Sequence, residues 1–170
     1  VLAFEIADTT VTNREFKAFI DATGYTTTAE TIGDSYVFHL LVEPEKRAEY
    51  AHVSGSPWWL LVPGASWNHP TGPQSSIDDV MDHPVVHVSL QDALAYCDWA
   101  KVKLPTETQW EYAARGGTTT QFPWGNDLEE DGEFHANTWQ GDFPNTNTKE
   151  DGFLGTAPVK SFEPNGYGLY

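Results

Sequence analysis

Apolar residues recur at helical spacing in three places along the chain, and each run opens on a hydroxyl residue. After Thr12, the side chains of Phe16, Phe19 and Ile20 fall on one face until Gly24. Thr12-x-x-Glu15 forms a capping box, in which hydroxyl and carboxylate each accept from the other's backbone amide. Ser89 precedes a second run with Ala93, Tyr96, Cys97 and Ala100 on one face. Thr106-x-x-Gln109 is a second capping box, followed by Trp110, Ala113 and Ala114. Pro105 lies just outside that helix, where its missing N–H costs little, and Gly116-Gly117 supply the positive φ that a helix end favours. Three helices are predicted.

The other elements are shorter. Residues 2–6 and the apolar run 85–88 read as strands, Tyr36-Val37-Phe38 as extended, and residues 43–50 as a short polar helix. Residues 54–84, rich in Gly, Pro, Ser and Trp, are expected to form a long loop, and loops of that length inside compact domains are more often functional than idle. Beyond Gly117 a Gly or Pro recurs every few residues and no helical period survives, so loops are expected to the end. The 170 residues suit one α+β domain, residues 1–170, with a sizeable core and little regular structure. Seven Trp, seven Tyr, nine Phe, fourteen Gly and eleven Pro fit that picture of turns and aromatic packing.

Charge narrows the partners. A net charge of −16 with nine Lys plus Arg is unsuited to tracking a phosphate backbone, so nucleic acid is not expected as a partner. No apolar run approaches the roughly 20 residues of a membrane-spanning helix, and a soluble chain is expected. One cysteine allows no disulfide within the chain and leaves the compartment open.

Few residues announce chemistry by spacing alone. Asp127-x-Glu129-x-Asp131-Gly132 imitates the start of an EF-hand loop, but its twelfth position is Thr138 instead of a bidentate Glu, so a solvated acidic turn is expected. His83 and His87 flank Pro84, which excludes a helical His-Glu-x-x-His metal site, and both are read as structural. Trp58-Trp59 suits core packing or the wall of a peptide groove. Asn137 and Asp151 lie in loops where either could form an Asx-turn, and spacing alone reveals no metal site there. There is no nucleophile elbow, phosphate-binding glycine loop or Cys-x-x-Cys pair.

Longer motifs carry a resemblance. The run Leu104-Pro105-Thr106-Glu107, then Trp110-Glu111, Arg115-Gly116-Gly117 and Pro123-Trp124-Gly125, resembles the formylglycine-generating enzyme and sulfatase-modifying factor family. Similar blocks are Gly33-Asp34-Ser35-Tyr36-Val37-Phe38, Pro57-Trp58-Trp59, His83-Pro84-Val85-Val86-His87-Val88-Ser89, Asn137-Thr138-Trp139-Gln140-Gly141, Glu150-Asp151-Gly152-Phe153 and Asn165-Gly166-Tyr167-Gly168-Leu169-Tyr170. They run in family order across nearly the whole chain. Two positions depart: Lys101-Val102-Lys103 stands where Gly-Lys-Arg is usual, and Leu90 where Trp is usual.

The resemblance implies an irregular α+β fold related to C-type-lectin-like domains. It implies a calcium site at Asn137, Thr138, Asp151 and Phe153, with Thr138 and Phe153 using backbone carbonyls. It also implies a substrate groove at Asp34, Trp58 and Trp59, and a structural role for Cys97, which relatives often bridge to a cysteine near the domain's C-terminus. The implied activity is oxygen-dependent conversion of a sulfatase cysteine, within Cys-x-Pro-x-Arg, to Cα-formylglycine. Copper(I) would sit on two cysteines that this chain lacks, so the chain is expected to be part of a longer domain and no catalytic residue is assigned within it. The alternatives are a non-catalytic paralogue that binds sulfatases or peptides, and a calcium-stabilised lectin-like binding module. Client sulfatase, compartment and oligomeric state are not legible.

Overall fold

The computed structural model describes residues 2–130 and 132–170, which gather into two compact units. One is Val11–Lys103; the other joins residues 2–10 to Leu104–Tyr170. Mixed α+β structure is observed, with four α-helices among the described residues instead of three.

In the Val11–Lys103 unit, helix α1 (Asn13–Thr23) begins and ends as its capping box and Gly24 dictate, Gly24 lying in the left-handed region at φ 65°. Its Phe16 and Phe19 are buried with Trp67 and Ile77 in one apolar cluster. Phe16 meets the Trp67 ring edge-on at 5.5 Å. The additional helix is α2 (Thr28–Ile32), only 5 residues long, capped by reciprocal bonds between Thr27 and Glu30. Gly33 ends it and feeds directly into strand β1 (Asp34–Phe38).

Strands β1, β2 (Ala51–Val53) and β3 (Ser56–Pro63) form an antiparallel sheet in the order β1-β3-β2. β3 lies within the residues expected as a loop. Its Gly and Pro neighbours mark the strand's ends: Gly55, at φ 79°, turns the hairpin, and the apolar stretch between Pro57 and Pro63 is free to pair on both sides. Register Val37↔Leu60 and Ser35↔Val62 buries one sheet face in a second cluster, completed by Val42 and Ala65. The polar helix expected at 43–50 is a 3-10 helix, Pro44–Glu49, with Pro at its start.

The expected strand at 85–88 does not form. Just before it an isolated bridge joins Thr12 to Pro84, and then His87 turns to φ 58°, which breaks extended pairing. Helix α3 (Leu90–Ala100) follows, with Cys97 buried on the expected face. Its N3 residue, Asp92, is fully buried. Asp92 Oδ1 accepts from the Tyr25 hydroxyl (2.9 Å), the Thr28 amide (3.0 Å) and the Thr28 hydroxyl (3.1 Å), while Oδ2 accepts from the Ser89 amide at 2.7 Å. Burial pushes this carboxyl upward, but the bonds from Ser89, Thr28 and Tyr25 outweigh it and hold the group below its ordinary value.

In the other unit, α4 (Glu107–Arg115) carries the Thr106–Gln109 capping box and ends at left-handed Gly116. Its last turn is completed by Asn165, whose Nδ2 donates to the carbonyls of Ala113 (2.7 Å) and Ala114 (3.0 Å). Asn165 Oδ1 accepts from the amides of Tyr167 and Leu169, so one side chain both shapes its loop and docks it. Gly166 approaches so closely that a Cβ there would lie well inside van der Waals contact distance of the Gly116 carbonyl oxygen. Ala113 is buried under this contact, whereas Trp110, expected on the same face, stays 59% exposed because the loop meets the helix near its end.

Residues 2–6 form no strand: they carry no ladder, and Phe4 instead rests edge-on against Tyr112 at 6.3 Å. The acidic turn is a two-residue ladder, β4 (Glu129–Glu130) against β5 (Glu133–Phe134), with Gly132 at φ 83°; Asp131 lies outside the described residues. Among the described residues, no helix is long and apolar enough to cross a membrane.

Two stability predictions follow from these contacts. Lys101, in place of the usual Gly, caps α3 at φ 60°, and a left-handed non-glycine costs about 1 kcal/mol. Lys101→Gly should therefore stabilise the chain by about 1 kcal/mol in urea denaturation; no gain would show the cap unstrained. Asp92→Asn places an amide donor against donors and should cost about 2 kcal/mol or more. Since the folded carboxyl titrates below its unfolded value of about 3.9, its contribution is complete above that pH and is lost as pH falls through the folded value. Denaturation from pH 7 to 2 should show a shallower acid-side loss for Asp92→Asn than for the wild type.

Candidate functional site

Two places gather the residues that the sequence singles out, one in each unit. In the Val11–Lys103 unit, Asp34 opens β1 directly after the left-handed Gly33. The Gly64 amide donates to the Gly33 carbonyl at 2.8 Å, and Asp34 pairs with Pro63 across the sheet, so its backbone is held on both sides.

Strand alternation divides the expected groove residues between two faces. Asp34, Tyr36 and Phe38 share the exposed face with Trp59, Leu61 and Pro63. Trp59 is 40% and Tyr36 55% exposed, and Trp59 meets Phe38 edge-on at 5.7 Å. Trp58 lies on the opposite face, that of buried Leu60 and Val62. The structure thus brings Asp34 and Trp59 onto one surface and leaves Trp58 on the core side. Four residue steps separate Asp34 from the Trp59–Phe38 pair, about 13 Å at strand rise. Tyr36, midway between them, is read from the sequence only as extended backbone, although the alternation Asp34-x-Tyr36-x-Phe38 already puts it on the face of Asp34.

In the other unit, Asp151 links the two calcium-candidate blocks. Its Oδ2 accepts from the Thr138 amide and its Oδ1 from the Phe153 amide, both at 2.9 Å; the second bond is an Asx-turn. Asn137 Nδ2 donates to the Gly155 carbonyl at 2.8 Å. Gln140, buried and not singled out in the sequence, donates through Nε2 to the Thr138 carbonyl and hydroxyl, and its Oε1 accepts from the Asp151 amide at 3.4 Å. A cavity of about 310 Å³ opens beside these loops, lined by Asn137, Thr138, Leu154 and Gly155 among others.

The donor set fits a hard cation. The Asp151 carboxylate, the Asn137 amide oxygen and the Thr138 and Phe153 carbonyls are hard oxygen donors, and each Asp151 oxygen keeps a lone pair beyond its single N–H. Apolar burial here is slight: among the described residues of this unit, Ala113 and Ala157 are the buried apolar side chains. Loops of that kind depend on polar cross-links for their order.

Cys97 is buried on α3, and burial first, then the charge of Asp98, pushes its thiol above the ordinary value. A thiol so raised stays protonated, which disfavours nucleophilic or metal-binding use.

The family model for the sulfatase-modifying factor enzyme 1-like domain matches residues 1–170. The chain belongs to the sulfatase-modifying factor family. A formylglycine-generating enzyme from Bos taurus is 54% identical over 162 residues, covering 94% of this chain and 43% of the bovine protein. One from Thermomonospora curvata is 56% identical over 161 residues, again 94% of this chain and 53% of the relative. A Mus musculus family member described as inactive C-alpha-formylglycine-generating enzyme 2 is 47% identical over 162 residues, 94% of this chain and 52% of its own length. The chain spans about half the length of these curated relatives. Within the family framework, Asp151 is predicted to matter even without metal. Asp151→Ala orphans two backbone amides and should cost about 1–3 kcal/mol in chelator-treated protein, measured by denaturant unfolding; an unchanged midpoint would show that the two bonds carry no weight.

Proposed function

We propose that the complete protein carrying this chain converts a sulfatase cysteine within Cys-x-Pro-x-Arg to Cα-formylglycine, with oxygen as oxidant. The observation that carries this reading is the identity above one half, over nearly the whole chain, to proteins named formylglycine-generating enzymes. A copper(I) ion on two thiolates, the soft ligands it prefers, would supply oxygen activation. One raised, buried thiol cannot form such a pair, so those cysteines are sought in the parent protein outside residues 1–170.

This chain's part is to bind and to order. Asp34 would hold the cationic end of an extended peptide while Tyr36 and Trp59 pack along it. A peptide of five residues spans about 13 Å between its end Cα atoms, the spacing between Asp34 and the Trp59–Phe38 pair. Trp58 would support this face from the core side. Calcium, held by Asn137, Thr138, Asp151 and Phe153, would tie two loops that bury little apolar surface. Kinship to C-type-lectin-like folds is part of the same reading.

The relation to an inactive paralogue supports a second reading, a protein that binds sulfatases without modifying them. Incubating the complete protein with a Cys-x-Pro-x-Arg peptide in air, and trapping aldehyde with a hydrazide, separates the two. Aldehyde formation is expected; peptide binding without aldehyde would favour the paralogue reading. Calcium at a hundredfold excess over its dissociation constant should stabilise the protein by about 2.7 kcal/mol through linkage. The accompanying rise in melting temperature should vanish in Asp151→Ala. An unchanged wild-type melting temperature in saturating calcium would remove the site.

A further inference from the structure

Asp34 is supported from beneath by a residue that takes no part in the exposed face. Its neighbour Ser35 turns to the buried side, where its hydroxyl lies 2.8 Å from His87 Nδ1. His87 Nε2 lies 2.8 Å from the Pro70 carbonyl oxygen. A carbonyl only accepts, so the ring carries its proton on Nε2. In the neutral ring Nδ1 is then the acceptor, and the Ser35 hydroxyl donates to it. Burial, the larger influence, lowers the His87 pKa against the opposing pull of the Pro70 bond and favours that neutral ring.

The imidazole therefore ties the start of β1 to the segment that follows β3. These are the segments already joined on the backbone by Asp34↔Pro63 and by the bond from Gly64 to Gly33. His87 does so at a conformational cost, since φ 58° is left-handed and its side chain is not that of glycine. Such strain persists where the surroundings over-determine it. Here they do: the Val85 amide is fixed to the Val11 carbonyl at 3.0 Å, and Ser89 is fixed by Asp92.

We propose that His87 is a positioning residue for Asp34, holding the substrate-facing carboxylate in place through Ser35 and Pro70. The inference rests on the reading of Asp34 as the peptide-binding carboxylate. It adds a role to a histidine that the sequence reads only as structural.

The test is the dissociation constant of a fluorescein-labelled Cys-x-Pro-x-Arg peptide for the complete protein and five variants. These are Asp34→Ala, Ser35→Ala, His87→Ala, His87→Asn and the double variant Asp34→Ala/His87→Ala, each with its thermal unfolding recorded. His87→Ala should weaken binding roughly tenfold, the scale of one lost hydrogen bond. In the Asp34→Ala background the same change should have no further effect, because His87 acts only through Asp34. His87→Asn, which tolerates positive φ and offers Oδ1 to the Ser35 hydroxyl, should restore most of the affinity.

Equal weakening by His87→Ala with and without Asp34 would overturn the inference, since that is general loosening. Unchanged binding in His87→Ala beside weakened binding in Asp34→Ala would overturn it alone. Unchanged binding in Asp34→Ala itself would instead overturn the reading beneath it, and the inference with it. If His87→Ala fails to fold, Ser35→Ala removes the same contact from its other end and should weaken binding by a similar factor; no change there overturns the inference.

Discussion

Inside the Val11–Lys103 unit, the Asp92 carboxylate collects donors from three separate segments: Tyr25 after α1, Thr28 at the start of α2, and Ser89 at the cap of α3. Among the described residues no Lys or Arg pairs with it. A buried charge is expensive unless its hydrogen bonds are complete, so these segments must converge for the unit to fold with Asp92 ionised. The convergence fixes where α2 begins. One short helix later, Gly33 delivers the chain to Asp34 at the edge of the sheet. The candidate peptide-binding carboxylate thus owes its place to a second, buried carboxylate and to the His87–Ser35 contact on the other side of β1.

The unit built from residues 2–10 and Leu104–Tyr170 follows different physics. Its apolar side chains are mostly exposed or half-buried, and its order comes from side chains that satisfy backbone groups of distant loops. Asn165 closes the end of α4, Gln140 bridges Thr138 and Asp151, and Asp151 holds Phe153. A bound cation would add one more cross-link of the same polar kind, which is why calcium is a natural proposal there and would be superfluous in the apolar clusters around Phe16 or Leu60.

Helix ends were legible in the sequence because their causes are local. The boxes at Thr12 and Thr106, the Ser89 cap and the glycines at 24 and 116 each act within four residues, and each appears where expected. The box at Thr27 has the same form, yet five residues carry too few apolar repeats to draw the eye. Strands fared worse because pairing is decided elsewhere in the chain. Residues 2–6 and 85–88 have suitable side chains but no ladder, whereas β3 emerged between prolines because β1 and β2 flank it. At the candidate groove, the resemblance implied Asp34, Trp58 and Trp59 and favoured Asp34 with Trp58, whereas the strand register puts Trp59, not Trp58, on the face of Asp34. Asp92, Gln140 and the His87 contact were invisible, since each draws its meaning from partners far along the chain.

The claim that most of this depends on is that the donors around Asp92 more than offset the burial of its carboxylate. A carbon-detected NMR titration of its side-chain carboxyl measures this directly. The account predicts a midpoint below the ordinary aspartate value of about 3.9, because the donors from Ser89, Thr28 and Tyr25 overcome burial. A midpoint at or above that value would show that burial wins, and that this carboxylate does not organise the unit.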